Sequence, residues 1–228
     1  DLSKGRLFVI GGGKATGFMA ETLEKIIGAP NITAGLVNCK TAGYETVKIK
    51  INEAGHPIPD ERGVNGVNEM LALKEKFGIN EKDVVLCLLS GGGSSLMPCP
   101  VPEISFEDKR QMTALLLLCG ADITEINTVR KHISRIKGGR LGAYFAPATV
   151  VSLIISDVIG NDLSAIASGP TYPDNSTFMQ ANYVLMKYTL TAQAPAKVVS
   201  YLDRGWRGEF ADTPKKLTNC RNYIIADS

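Results

Sequence analysis

Leu7-Phe8-Val9-Ile10 runs directly into Gly11-Gly12-Gly13-Lys14-Ala15-Thr16-Gly17, after which Phe18, Leu23, Ile26 and Ile27 recur at helical spacing. A short apolar run, a glycine turn and a helical period predict a strand, a tight turn and a helix. The order returns at Val84-Val85-Leu86-Cys87-Leu88-Leu89, followed at once by Ser90-Gly91-Gly92-Gly93-Ser94-Ser95. An unbroken apolar run of this kind belongs to a strand buried on both faces. Strands alternating with helices predict a Rossmann-like α/β/α sandwich with a mostly parallel sheet, whose ligands bind beyond the carboxyl ends of the strands.

Outward from these two units, residues 34–39, 47–52, 149–155 and 222–226 are strand candidates. Asp60 is placed to cap a helix over 61–77, and Ser105 with Asp108 to open one that ends near Gly120. Shorter helices are expected over 125–131, 177–188 and 194–204. Residues 156–174 carry neither period, and structureless stretches of that length in compact domains are usually functional or disordered. No internal repeat or linker divides the 228 residues.

The composition bounds the function. A net charge of +2, from 25 Lys and Arg against 23 Asp and Glu, is too small for a nucleic-acid footprint. The longest apolar stretch, 112–119, is far short of the roughly 18 residues that span a bilayer. Five cysteines without a C-x-x-C pair suggest neither a disulfide framework nor a zinc site, so a reducing cytoplasm is expected. The chain starts at Asp1 with no basic-then-apolar leader and stops just after the last strand. It reads as trimmed rather than targeted, with a further C-terminal part expected.

Glycines let main-chain N–H groups approach an anion, so the first turn resembles a phosphate cradle. It matches neither familiar version. A Walker A loop needs Ser or Thr after the Lys, where this chain has Ala15, and a G-x-G-x-x-G register from Gly11 meets Thr16 in place of its third Gly. A tight turn carrying a solvated Lys14 is the alternative. The second turn adds hydroxyls to its glycines and reads as a neutral nest for phosphate or carboxylate. Residues 127–140 hold Arg130, Lys131, Arg135, Lys137 and Arg140 with Gly138 and Gly139, a local positive excess that an anionic ligand would balance. His132 within it is more often structural than catalytic. Asp157 stands where a Mg²⁺ ligand or hydroxyl-activating base is commonly found, and Pro57 and Pro59 stiffen the presentation of His56.

Taken together, Gly13-Lys14-Ala15, Gly55-His56-Pro57-Ile58-Pro59-Asp60, Ser90 to Ser95, Gly120-Ala121, Glu125 to Gly139, Ser156-Asp157-Val158 and Ile166 to Asp174 resemble, in order and spacing, the glycerate kinases of the MOFRL type. The resemblance implies ATP-dependent phosphorylation of the 2-hydroxyl of D-glycerate, with Mg²⁺ or another divalent cation. It makes residues 1–228 an N-terminal glycerate kinase domain, with the C-terminal MOFRL domain absent and this piece alone expected to be inactive. Lys14, Arg130 and Asp157 become the catalytic candidates. The binding candidates are Gly13, His56, Ser90, Gly91, Gly92, Gly93, Ser94, Ser95, Lys137, Gly138, Gly139, Ser168, Gly169, Thr171 and Asp174. Asn161 stands where the family usually has Gly. The partners implied are D-glycerate and ATP, without nucleic acid or membrane, and a homodimer is left open. The alternatives are a non-catalytic sugar-phosphate-binding module or a hydroxypyruvate reductase, a label some relatives carry, although no dinucleotide fingerprint is present.

Overall fold

A computed structural model describes residues 5–227. In chain order the elements are β1 (Leu7–Gly12), α1 (Thr16–Ile27), β2 (Ala34–Cys39), β3 (Ile49–Glu53), α2 (Glu61–Phe77), β4 (Val84–Leu89), α3 (Gly93–Leu96), α4 (Phe106–Leu118), α5 (Ile123–His132), α6 (Arg140–Phe145), β5 (Thr149–Ser156), α7 (Phe178–Lys187), α8 (Ala196–Trp206) and β6 (Cys220–Asp227). The strands form one sheet in the order β3-β2-β1-β4-β5-β6, every pairing parallel. This is the doubly wound order, and β1 and β4 are the neighbours at which it reverses.

Alternation along β1 sorts the core. Phe8 and Ile10 face α2 and α6 with Val67, Met70, Leu141 and Phe145, while Leu7 and Val9 face α1 with Met19 and Ala20. A further cluster lies apart from the sheet, where Met112, Leu116, Ile126, Val129, Phe178, Val184 and Leu202 join α4, α5, α7 and α8. These helices come from the crossovers on either side of β5. Among the described residues no helix is long and apolar enough to cross a membrane.

Several expected boundaries move for identifiable reasons. β3 starts at Ile49 rather than 47, because the Glu24 carboxylate accepts the N–H groups of Val47, Lys48 and Ile49, each at 2.7 Å. α5 starts two residues early, since Asp122 caps it and exchanges hydrogen bonds with Glu125. α6 is too short to give a sequence period. The expected caps at Asp60 and Ser105 both form, and Thr177 caps α7 in the same way.

Asp83 ties the chain's start to the loop before β4. Its carboxylate accepts from the Arg6 backbone and guanidinium and from Asn80 N–H. The hydrogen bond from Arg6 is the main reason its pKa falls to about 2. The folded value lies below the unfolded one, so this contribution is complete above about pH 4 and is lost as pH falls towards about 2. Urea midpoints should therefore drop between pH 5 and pH 3, by less in Asp83→Asn.

Candidate active site

The two glycine turns meet at the carboxyl ends of β1 and β4 and are stitched together by hydrogen bonds. Lys14 N–H donates to Gly91 O (2.8 Å) and Ala15 N–H to Ser90 Oγ (3.0 Å), while Gly13 N–H donates to Asn38 O (3.1 Å) at the end of β2. The first turn therefore has few amides left for an anion. What it presents is the Lys14 side chain, half exposed, with Nζ 4.0 Å from the Asp157 carboxylate at the end of β5. The N–H groups of Gly91, Gly92 and Ser94 meet no backbone acceptor among the described residues.

Close approach explains two glycines of the second turn. A Cβ at Gly91 would collide with the Asp157 carboxylate, and one at Gly92 would stand 2.7 Å from His56 Nε2 and 3.2 Å from Lys14 Cγ. Gly92 also has φ +80°. Lys14, His56 and Asp157 thus converge over this turn, from three different connections. Burial, then the charges of Lys14 and Lys40, hold the His56 imidazole below its ordinary pKa against the pull of Asp157. A neutral ring at pH 7 follows. Gly92→Ala should cost roughly 1–2 kcal/mol in backbone strain and push His56 away from Lys14. Urea denaturation and phosphate titration of the variant would read both effects.

Below this turn, Lys137 is fully buried, and its Nζ donates to Ser94 O (3.1 Å), Ser94 Oγ (2.9 Å) and Ala167 O (3.4 Å). All three acceptors are neutral. Burial first, then Arg130 and Lys109, push its pKa well down. Ser168 Oγ lies 3.0 Å from Ser94 Oγ and donates to Asn127 Oδ1 (3.1 Å). Gly138 and Gly139 clamp this arrangement, their N–H groups donating to Ser168 O (3.0 Å) and Gly169 O (2.7 Å). Ala167 and Ser168 are held at φ 51° and 63°, a left-handed strain of the kind that collects at functional sites. Asn161 adopts φ 56°, so this residue, tolerant of the left-handed region, keeps the backbone conformation that glycine favours.

The other candidates lie elsewhere. Arg130 lines a cavity of about 470 Å³ on the far side of Ser94 and Ser95, together with Lys109. Thr171 and Asp174 are not brought to Lys14. The Thr171 hydroxyl bonds Ser152 (2.7 Å) and Asn222 (2.7 Å) between β5 and β6, and the buried Asp174 carboxylate pairs with Lys131 at 3.1 Å. His132 is likewise engaged, through Thr128 O and Asp212. Among the described residues no group of three or more His, Cys, Asp or Glu is placed to hold a metal ion. Neither Lys109 nor Asn127 stands out from the sequence as a site residue. For Lys109 a signal exists, since it shares the spacing of the buried residues Met112 and Leu116.

Residues 1–203 match the family DUF4147, described as a domain of unknown function. The chain is 45% identical over 227 residues to a glycerate 2-kinase from Pyrococcus horikoshii, covering 99% of this chain and 50% of that protein. It is 40% identical over 228 residues to a D-glycerate 2-kinase from Thermotoga maritima, covering 99% and 52%. The crystal structure of a Thermotoga maritima glycerate kinase superposes with a TM-score of 0.87 at 40% identity, over 99% of this chain and 52% of that one. A Pyrococcus horikoshii protein structure gives 0.89 at 44% identity, over 98% and 50%. The chain spans about half the length of these relatives. By a family match over most of its length, and by relatives that share both its sequence and its fold, the chain belongs to the glycerate kinase family of the MOFRL type, as a DUF4147 domain.

Proposed function

We propose that this chain carries the phosphate-binding wall of an ATP-dependent glycerate 2-kinase. The observation that carries the reading is the convergence of Lys14, Asp157 and the amides of Gly91 and Gly92 at the switch point between β1 and β4. Phosphoryl transfer asks the protein mainly to position two substrates and to neutralise charge on the transferring group. Lys14 supplies a half-exposed cation for phosphate oxygens. The second turn supplies neutral donors, and Lys137 holds Ser94 in place from beneath. Asp157 accepts the proton of the attacking hydroxyl. Mg²⁺ is held in such sites largely by substrate phosphate oxygens and water, and among the described residues no group of three or more His, Cys, Asp or Glu is placed to hold it. When bound, it would offset negative charge on the nucleotide.

The same sheet order serves dinucleotide enzymes, but two features favour a kinase over a hydroxypyruvate reductase. The first-turn amides that would face a pyrophosphate are already bonded within the protein. At the end of β2, where a dinucleotide fold has its ribose-binding acid, stand Asn38 and Cys39, with the Asn38 amide donating to Gly63 O and Leu96 O. Coupled assays on the protein at its native length separate the readings: ADP release should depend on D-glycerate, and hydroxypyruvate should not oxidise NADH. Tight sugar-phosphate binding without ADP release would favour the binding module instead. Residues 1–228 by themselves offer one wall of such a cleft. Calorimetry on them should find weak, salt-sensitive binding of ATP and no turnover; robust glycerate phosphorylation by this piece would contradict the two-wall picture.

A further inference from the structure

The buried stripe of α4 contains a lysine. Lys109, Met112 and Leu116 recur at intervals of three and four, and Lys109 is only 5% exposed. Lysines in such positions ordinarily snorkel to water or find a carboxylate. Lys109 does neither: its Nζ is buried and has no hydrogen-bond partner among the described residues, and the same holds for the Nε of Arg130 on α5. Both side chains line the cavity of about 470 Å³, whose wall continues through Ser94, Ser95, Pro57 and Phe106.

The groups around Lys109 do not compensate its charge. Arg130 repels it from α5, and the two together help to press the proton off Lys137, under Ser94. The Cys99 thiol, after α3, acts weakly the other way. On α4 itself, Glu107 and Arg110 line the cavity and are paired with each other at 2.9 Å. Burial, then Arg130, lower the Lys109 pKa to about 7. Unpaired cations in a largely apolar enclosure cost free energy that an incoming anion would offset.

We propose that Lys109 and Arg130 form an oxyanion subsite, separate from the Lys14 turn, that takes the carboxylate or phosphate end of a small organic acid, with Ser94 and Ser95 between the two. In assigning the anion, the proposal rests on the phosphoryl-transfer reading: the Lys14 turn takes the transferring phosphate, so this subsite takes the acceptor's carboxylate. The remaining volume lies over Pro57, Phe106 and Leu117. It would accept an acid larger than a three-carbon one.

Calorimetric titration of the native-length protein at pH 7 tests this, with D-glycerate and inorganic phosphate as separate ligands, each in two buffers of different ionisation enthalpy. An anion beside Lys109 raises the lysine's proton affinity, so binding should take up a fraction of a proton. Lys109→Met should weaken binding about tenfold or more and abolish the uptake. Lys109→Arg should keep most of the affinity without the uptake. Methionine suits a buried helix stripe, so the Met variant is expected to fold and to gain stability, as replacement of a functional buried cation often does. Uptake with glycerate, lost in Lys109→Met, supports the carboxylate assignment; uptake with phosphate alone supports the subsite and moves the assignment to a phosphoryl group. Wild-type affinity and uptake in Lys109→Met would overturn the proposal even if glycerate is phosphorylated. A working subsite in a protein that makes no product would overturn the kinase reading alone.

Discussion

Lys14→Met is expected to lower kcat/KM for D-glycerate by about 100-fold or more in the native-length protein, the scale for losing a charge-stabilising group from a transition state. Stability should barely change. The side chain is half exposed and its contact with Asp157 is a 4.0 Å pair, a kind of surface interaction that contributes little to folding. The backbone bonds that fix the turn, from Gly13, Lys14 and Ala15 to Asn38, Gly91 and Ser90, do not involve the lysine side chain. A large kinetic loss with an unchanged urea midpoint therefore separates a charge role from a folding role. Near-wild-type turnover would return Lys14 to a solvated turn residue.

Asp174→Ala should do the reverse. The Asp174 side chain is 3% exposed and its partner Lys131 8%. The carboxylate also accepts from the Ser176 and Thr213 hydroxyls, at 2.8 Å and 2.9 Å. Burial pushes the Asp174 pKa up, but Lys131 and the Ser176 bonds outweigh it and hold the group ionised. Removing the carboxylate strands a buried ammonium, which costs about 3–5 kcal/mol. Urea unfolding would read that loss, while kcat per folded molecule should hold. The pH sign agrees: a depressed folded pKa means this stability is present at neutral pH and fades as the carboxylate protonates in acid. Lost turnover at intact stability would instead place Asp174 in the site.

Asp174 also illustrates how the sequence and the fold diverge. Both glycine turns, their strands and the caps of α2 and α4 were legible because each rests on local rules: an apolar run, a turn composition, an acceptor at the start of a helix. The destinations of side chains in the 156–174 stretch depend on partners far along the chain. Thr171 turns towards Asn222, and Asp174 towards Lys131 and Thr213, and neither pairing leaves a pattern along the chain. The cationic segment 127–140 was legible as an excess of charge, but not as a division of labour. Lys131 became half of a structural pair, Lys137 a buried donor to Ser94, and Arg130 part of a cavity wall. That separation depends on how α5 rotates against α4 and α7, which only packing decides. Lys109 was the opposite case. Its place in a buried helical period was readable in the sequence, yet a lone lysine there looks like an ordinary surface residue until the rest of the stripe is known to be covered.

The convergence of the two turns on one phosphate-transfer site is tested most directly by phosphorus NMR of the native-length protein supplied with ATP, Mg²⁺ and D-glycerate. The account predicts a new phosphomonoester signal split into a doublet by the single proton on carbon 2, growing with ADP and lost in Lys14→Met. A triplet would place the phosphate on carbon 3 and contradict the 2-kinase assignment, and no new phosphomonoester at all would contradict phosphoryl transfer to glycerate.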